Sequence, residues 1–353
     1  MLKYLDSVEL AKQYFLIIGR HLDLERKQAD VANAIVYKKG DTLYLIDTGA
    51  LPDFRQILLD KCALLQPVNR LILVNTHGHI DHVGNNIVID QIEAFEKYHY
   101  ISAHDLTLMQ NNRNYFIQNF KNIMMFMAKG FNPEKRVDEL LKFFEPVHAN
   151  TQHLNVLESL PSHNITIGHI YWSGWKFDEG LYVLRSEGHT RGHVIVYLPE
   201  ISHIHMGDET NGYCNLFHDC DHLKSLESHT KVLSMLNEGS IKSMTDGHSF
   251  QVYNQEQAKI KLEELINAHY VYENTLRGLL LKHSKGLTFK EIQYHLDRSE
   301  QLKSLAKTGN PNPIFNTLMV LSKLRDFGIL PEGENLEKSL FKFQGFHSNR
   351  FND

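Results

Sequence analysis

The sequence predicts an α/β protein with an inserted helical segment and a helical C-terminal extension. Short β-branched, apolar runs alternate with stretches of helical spacing in the first third and return after about residue 165. Beyond about residue 255 the strand signals give way to helical periodicity. A third observation is chemical: several strand-like runs end in turns carrying histidine or aspartate, where α/β proteins commonly place their chemistry.

Residues 34–38 and 42–47 read as two strands joined by a hairpin turn at Lys39-Gly40-Asp41. Apolar positions at helical spacing over 52–66, with Pro52 and Asp53 at the front, predict a helix. The fully apolar run 71–74 reads as a buried strand, and 97–103 as another. The pattern turns helical over 106–146, read as an insert, with Met124, Met125, Phe126 and Met127 assigned to its core. Strands return at 165–167, 181–185, 194–198, 203–206 and 241–246, with a helix over 222–237. Helices then follow over 255–283, 288–296 and 313–327, the last two joined by a Gly-Asn-Pro-Asn-Pro loop. This divides the chain into 1–254 and 255–353.

Composition narrows the classes. Hydrophobic residues at 42% and charged residues at 22% match an ordinary globular chain, not a disordered or disulfide-scaffold one. The net charge of −5 gives no general attraction to nucleic acid or anionic membrane. No apolar run approaches the roughly 20 residues a bilayer span needs, and the charged N-terminus does not read as a signal peptide. Three cysteines, Cys62, Cys214 and Cys220, suit a cytoplasmic location. Histidine, at 22 of 353 residues, is in excess, and it is the commonest metal ligand.

The histidines matter through their spacing. Asn75-Thr76-His77-Gly78-His79-Ile80-Asp81-His82 follows the buried strand 71–74 directly. His77 and His79 alternate, so an extended loop projects both to one side and lets them chelate one metal. Asp81 and His82 lie where the chain can turn into a helix and aim at a second metal nearby. Three later turns share one pattern of strand, glycine and ligand-type side chain. They are Gly188-His189 through His193, Met206-Gly207-Asp208-Glu209 and Asp246-Gly247-His248. Two metals about 3.5–4 Å apart, bridged by a carboxylate, would generate a hydroxide nucleophile and polarise a carbonyl or phosphoryl oxygen. Nitrogen and oxygen ligands together suit zinc and admit iron or manganese. His193 reads equally as a support of the site or as a structural residue. His163, His169, His203, His205, His218, His222 and His229 carry no spacing of their own and read as structural.

The ordered set THGHIDH, GHTRGH, MGDE and DGH resembles the metallo-β-lactamase-fold hydrolases, a group that includes glyoxalase II, lactonases and β-lactamase-like ribonucleases. The resemblance covers roughly residues 30–250 and implies a four-layer αββα sandwich with two divalent metals at one edge of its sheets. It implies His77, His79 and His189 at one metal and Asp81, His82 and His248 at the other. Asp208 would bridge them, and Asp81 would serve as the proton-accepting catalytic residue. Asp47, in LYLIDTG, would support the metal loop rather than bind metal. In this family inserts such as 106–146 build the substrate pocket. The C-terminal extension resembles a winged-helix module. Its 12 basic and 8 acidic residues over 277–353 fall short of a nucleic-acid reader, so a helical cap or dimerisation surface is preferred.

Tyr171-Trp172-Ser173-Gly174-Trp175 reads as a turn whose tryptophans either pack in the core or wall the site. Cys214 and Cys220 lack zinc-site spacing and read as an ordinary loop near the site mouth. The expected function is a dinuclear metal-dependent hydrolase that attacks a lactone, thioester or ester with a metal-bridging hydroxide. The alternatives are a phosphodiesterase or ribonuclease using the same site, and a diiron redox protein. A small-molecule substrate is expected, nucleic acid is not favoured, no membrane association is expected, and a homodimer is the expected assembly.

Overall fold

The structure, a computed structural model, describes residues 6–21, 29–124, 130–147, 152–178, 180–212, 216–303, 305, 313–329 and 340–341, the side chains of 313–316 excepted. The chain begins with strands β1 (Ser7–Ala11), β2 (Tyr14–Ile17), β3 (Ala34–Lys39) and β4 (Thr42–Ile46). Helix α1 (Pro52–Leu64) and strand β5 (Arg70–Val74) follow, then the short helices α2 (Ile80–Val83) and α3 (Val88–Gln91) and strand β6 (Glu96–Ile101). The insert contributes helices α4 (Ala103–Gln110), α5 (Asn112–Ile123) and α6 (Pro133–Leu141), and β7 (Leu154–Val156) completes the first sheet. Seven strands run in chain order across that sheet, antiparallel from β1 to β4 and parallel from β4 to β7.

The second sheet also follows chain order. Its strands are β8 (His163–Ile167), β9 (Ile170–Phe177), β10 (Leu181–Arg185), β11 (Val194–Leu198) and β12 (His203–His205). After helix α7 (His222–Asn237) come β13 (Ser243–Thr245), parallel to β12, and the short β14 (Tyr253–Asn254). The C-terminal helices are α8 (Gln255–Lys282), α9 (Phe289–Leu296), α10 (Glu300–Lys303) and α11 (Pro313–Asp326).

Alternation along the strands sorts their side chains into layers. Ile35, Tyr37, Tyr44, Ile46, Ile72 and Val74 meet Trp175, Val183, Val194 and Val196 between the sheets. The opposite faces of the same strands, Val36, Leu43, Leu45, Leu71 and Leu73, pack on Phe54, Leu58 and Cys62 of α1. Leu184, Ile195 and Ile204 face Val232, Met235 and Leu236 of α7 and Ala258 and Leu262 of α8. Because β4 and β11 are covered on both faces, all their residues are buried, which is why β11 is a continuous apolar run and β4 is one after Thr42. The result is the αββα sandwich. Helix α8 continues past it, and from Leu265 onward joins α9 and α11 in a separate apolar cluster.

Some expectations are corrected. Residues Tyr171–Trp175 form no turn but lie within β9, where Trp172 faces the α7 layer and Trp175 the space between the sheets. Both are buried, so neither walls the site. Strands β1, β2, β7 and β14 are, like β9, additions to the expected set: β1 is only partly buried and mixes charge with apolar residues, β7 has three residues and β14 two. Met124 is 48% exposed and not core, while Met125, Phe126 and Met127 lie outside the described residues, as does Cys214. Among the described residues no helix is long and apolar enough to cross a membrane.

Candidate metal centre

Each candidate ligand sits just beyond a strand's end. The loop after β5 carries His77 and His79, and α2 then presents Asp81 and His82. The turn between β10 and β11 holds His189, the residues after β12 hold Asp208, and those after β13 hold His248. Parallel pairing of β4 with β5 and of β12 with β13 brings these ends to one edge of the sandwich. Glycine is required at 207, which has φ +51° and where a Cβ would stand 2.7 Å from His193 Nε2.

The seven side chains converge as two groups sharing one carboxylate. His77, His79, His189 and Asp208 form the first, and Asp81, His82, Asp208 and His248 the second, with the donor atoms of each group all within 4.8 Å of one another. In the first, His79 Nδ1 lies 2.9 Å from His77 Nε2 and 3.2 Å from His189 Nε2, with Asp208 Oδ2 3.5 Å from the latter. In the second, Asp208 Oδ1 lies 3.0 Å from His82 Nε2 and 3.3 Å from His248 Nε2, which is also 3.1 Å from Asp81 Oδ2.

The electrostatics fit a cation in each group. Burial first, and neighbouring imidazoles after it, hold His77 well below the usual histidine range and His79 at about 3. Their lone pairs are therefore available at neutral pH. Burial also disfavours an imidazolium at His82, but the carboxylates of Asp208 and Asp47 outweigh it and lift His82 to about 10. His82 Nε2 and Asp208 Oδ1 are buried without a hydrogen-bond partner. Where such groups face each other a positive charge is needed, and a divalent cation is one that this donor set can hold.

Surrounding residues fix the ligands. Asp47, at φ 57°, accepts hydrogen bonds from the Thr76 backbone (2.8 Å), from Thr76 Oγ1 (2.7 Å) and from His82 Nδ1 (2.8 Å). This orients the ring and leaves Nε2 for the site. His193 is a support: its Nε2 accepts the Asp208 backbone N–H at 3.0 Å while Nδ1 lies 2.8 Å from Ser186 Oγ. Glu209 accepts from the backbone N–H groups of Gly188 and His189, and Asp246 from those of His248 and Ser249.

Sequence reasoning missed Asp105. From the first turn of α4, one residue before the expected start of the insert, it accepts from the Gly78 N–H (3.0 Å), the Gly192 N–H (2.9 Å) and Thr190 Oγ1 (2.6 Å). Burial raises it to about 7 against the pull of those donors. No motif flagged it, because its partners are mostly backbone groups distant in sequence. None of the histidines read as structural joins either ligand group.

The profile of the metallo-beta-lactamase superfamily matches residues 28–266, and the chain belongs to that superfamily. No curated protein matches the chain. Among solved structures, a metallo-beta-lactamase family protein from Thermus thermophilus is 18% identical, with TM-score 0.60 over 95% of this chain and 100% of that one. A beta-lactamase domain protein from Burkholderia ambifaria is 14% identical, with TM-score 0.60 over 97% and 95%. A stereoselective inverting sec-alkylsulfatase from Pseudomonas sp. is 15% identical, with TM-score 0.55 over 91% of this chain and 49% of that one. These likenesses concern the fold.

Proposed function

We propose that this chain is a dinuclear metal-dependent hydrolase of ester-like bonds: lactone, thioester or ester. His77, His79 and His189 would hold one divalent cation, Asp81, His82 and His248 the other, and Asp208 would be shared. The observation that carries this is the pair of ligand groups meeting at one buried carboxylate, with Asp208 Oδ2 toward the first and Oδ1 toward the second. Zinc suits the donors best, and iron or manganese are accommodated. Such cations supply Lewis acidity and make a water acidic enough to react near neutral pH.

The protein's own groups divide the remaining work. Asp208, with 5% side-chain exposure, is closed off from solvent and suits a fixed bridging role, whereas Asp81 at 16% is reachable. Asp81 is therefore the carboxylate suited to accept and pass on a proton. Asp47, His193 and Asp246 hold the ligands still.

Metal analysis of wild type, His79→Ala and Asp208→Ala, paired with turnover, tests the proposal. Both variants should lose metal and activity while keeping the circular dichroism of the folded chain. Turnover by metal-free protein would refute the reading. A panel of lactone, thioester, sulfate-ester, phosphodiester and RNA substrates, after zinc, manganese or iron reconstitution, fixes the class. Cleavage confined to phosphodiesters or RNA, or two irons with redox activity, would replace it.

A further inference from the structure

We infer that Tyr115, Phe116 and Phe217 form the recognition wall for an apolar acyl group, so that the substrate is an ester-like compound with a hydrophobic acyl portion. This rests on the hydrolase reading above. Tyr115 and Phe116 come from the insert helix α5, and Phe217 from the segment before α7. Their ring centroids stand 5.6, 5.8 and 5.1 Å from the His79 ring. They also touch one another, at 5.6, 5.6 and 5.7 Å. Three mutually packed aromatic rings thus flank one candidate ligand in an otherwise polar site.

Two of these rings are not core. Tyr115 and Phe116 are half-buried, and only Phe217 is closed off, at 7% exposure. An apolar surface left partly open beside a polar centre is where the non-reacting part of a substrate gains from burial. The hydroxyl of Tyr115 is engaged by Asp219 Oδ1 at 2.5 Å, which leaves its ring rather than a polar tip to offer.

The wall is also braced from behind. Phe217 shares an apolar cluster with Ile117, Phe120 and Ile123 of α5 and with Leu318 of the C-terminal helix α11. Arg325 of α11 hydrogen-bonds the His218 carbonyl, and Ser322 Oγ lies 3.0 Å from Cys220 Sγ. The C-terminal extension therefore holds the loop that carries Phe217, and a surface fixed before binding costs little to order.

Calorimetric titration of the zinc-loaded full chain with straight-chain hydroxamates, from acetohydroxamate to octanohydroxamate, tests the inference. The hydroxamate head chelates zinc and the tail reports on the wall. Affinity should rise about threefold per methylene over the first few carbons, as expected for tails entering an apolar surface. In Phe116→Asn, octanohydroxamate should bind at least about tenfold more weakly while acetohydroxamate is unchanged, and Phe116→Leu should keep most of the chain-length effect. Affinity independent of tail length in the wild type overturns the inference, as does a gradient that survives intact in Phe116→Asn. If the chain takes up no zinc, the metal centre itself is refuted and the wall falls with it, whereas a zinc-loaded chain that binds no hydroxamate overturns the wall alone.

Discussion

Asp105 holds together two loops that the sequence separates by more than a hundred positions, and replacing it should reveal what that junction is worth. It receives the N–H of Gly78, which lies between His77 and His79, and the Gly192 N–H and Thr190 hydroxyl, which follow His189. Asp105→Ala leaves three buried donors unpaired. At about 1–3 kcal/mol each, and allowing for non-additivity, the loss should be about 3–5 kcal/mol of folding stability. Asp105→Asn keeps the volume but points an amide N–H at one donor, so it should cost about 1–3 kcal/mol. Denaturant unfolding should be run at pH 8, above the value of about 7 at which the buried carboxyl ionises, so that the wild-type group is the acceptor. Metal titration supplies the sharper reading. The group of His77, His79 and His189 should weaken by about 10–100-fold, as for lost supports of metal ligands elsewhere. The group of Asp81, His82 and His248 is held instead by Asp47 and Asp246, and it should change much less. Equal weakening of both sites, or of neither, would refute the reasoning.

If Asp81 handles a proton, Asp81→Asn should lower kcat by more than it raises KM, measured by steady-state kinetics on whichever substrate the panel identifies. Acid should destabilise the fold through histidines outside the metal groups. Burial, the leading cause in each, holds His99 and His203 at about 3 and His205 at about 4. These folded values lie below that of the unfolded chain, about 6.5. The unfolded state therefore binds more protons, so stability is full above about pH 6.5 and falls by about 1.4 kcal/mol per pH unit per group as pH drops toward 4. His203→Gln should flatten the slope of unfolding free energy against pH by about that one-group amount. An unchanged slope between pH 6 and 4.5 would contradict it.

What the sequence made legible follows from where its signals are local. The core strands β4, β5, β10 and β11 are short apolar runs because sheets or helices cover both faces, and their coverage is written into composition. The candidate ligands were legible for a related reason. His77 and His79 follow β5 and His189 follows β10, whereas Asp208 and His248 follow the short β12 and β13. Gly207 is needed for the shape of its turn, so the spacing within each turn carries the information. Strand β9 reads as a turn because its pattern alternates around Ser173 and Gly174, and a glycine with polar neighbours has the local look of one. Its place in the sheet is settled by pairing instead: Gly174 lies opposite Leu184, and a Cβ there would strike the Val183 carbonyl at 2.0 Å.

The supports around the site were the least legible, and Asp105 and Phe217 show why. Asp105 acts on backbone N–H groups, which every residue but proline possesses, so no pattern of side chains marks its partners. Phe217 gains its position from Leu318 of α11, about a hundred residues on, and from the insert, so its meaning exists only once three distant segments have packed. The parts proposed to recognise the substrate's acyl group are therefore assembled from the insert, the loop before α7 and the C-terminal helix. The parts proposed to hold the metals come from the strand ends of the sandwich. A change confined to Leu318 should accordingly alter selectivity among acyl groups while leaving the ligand groups as they are.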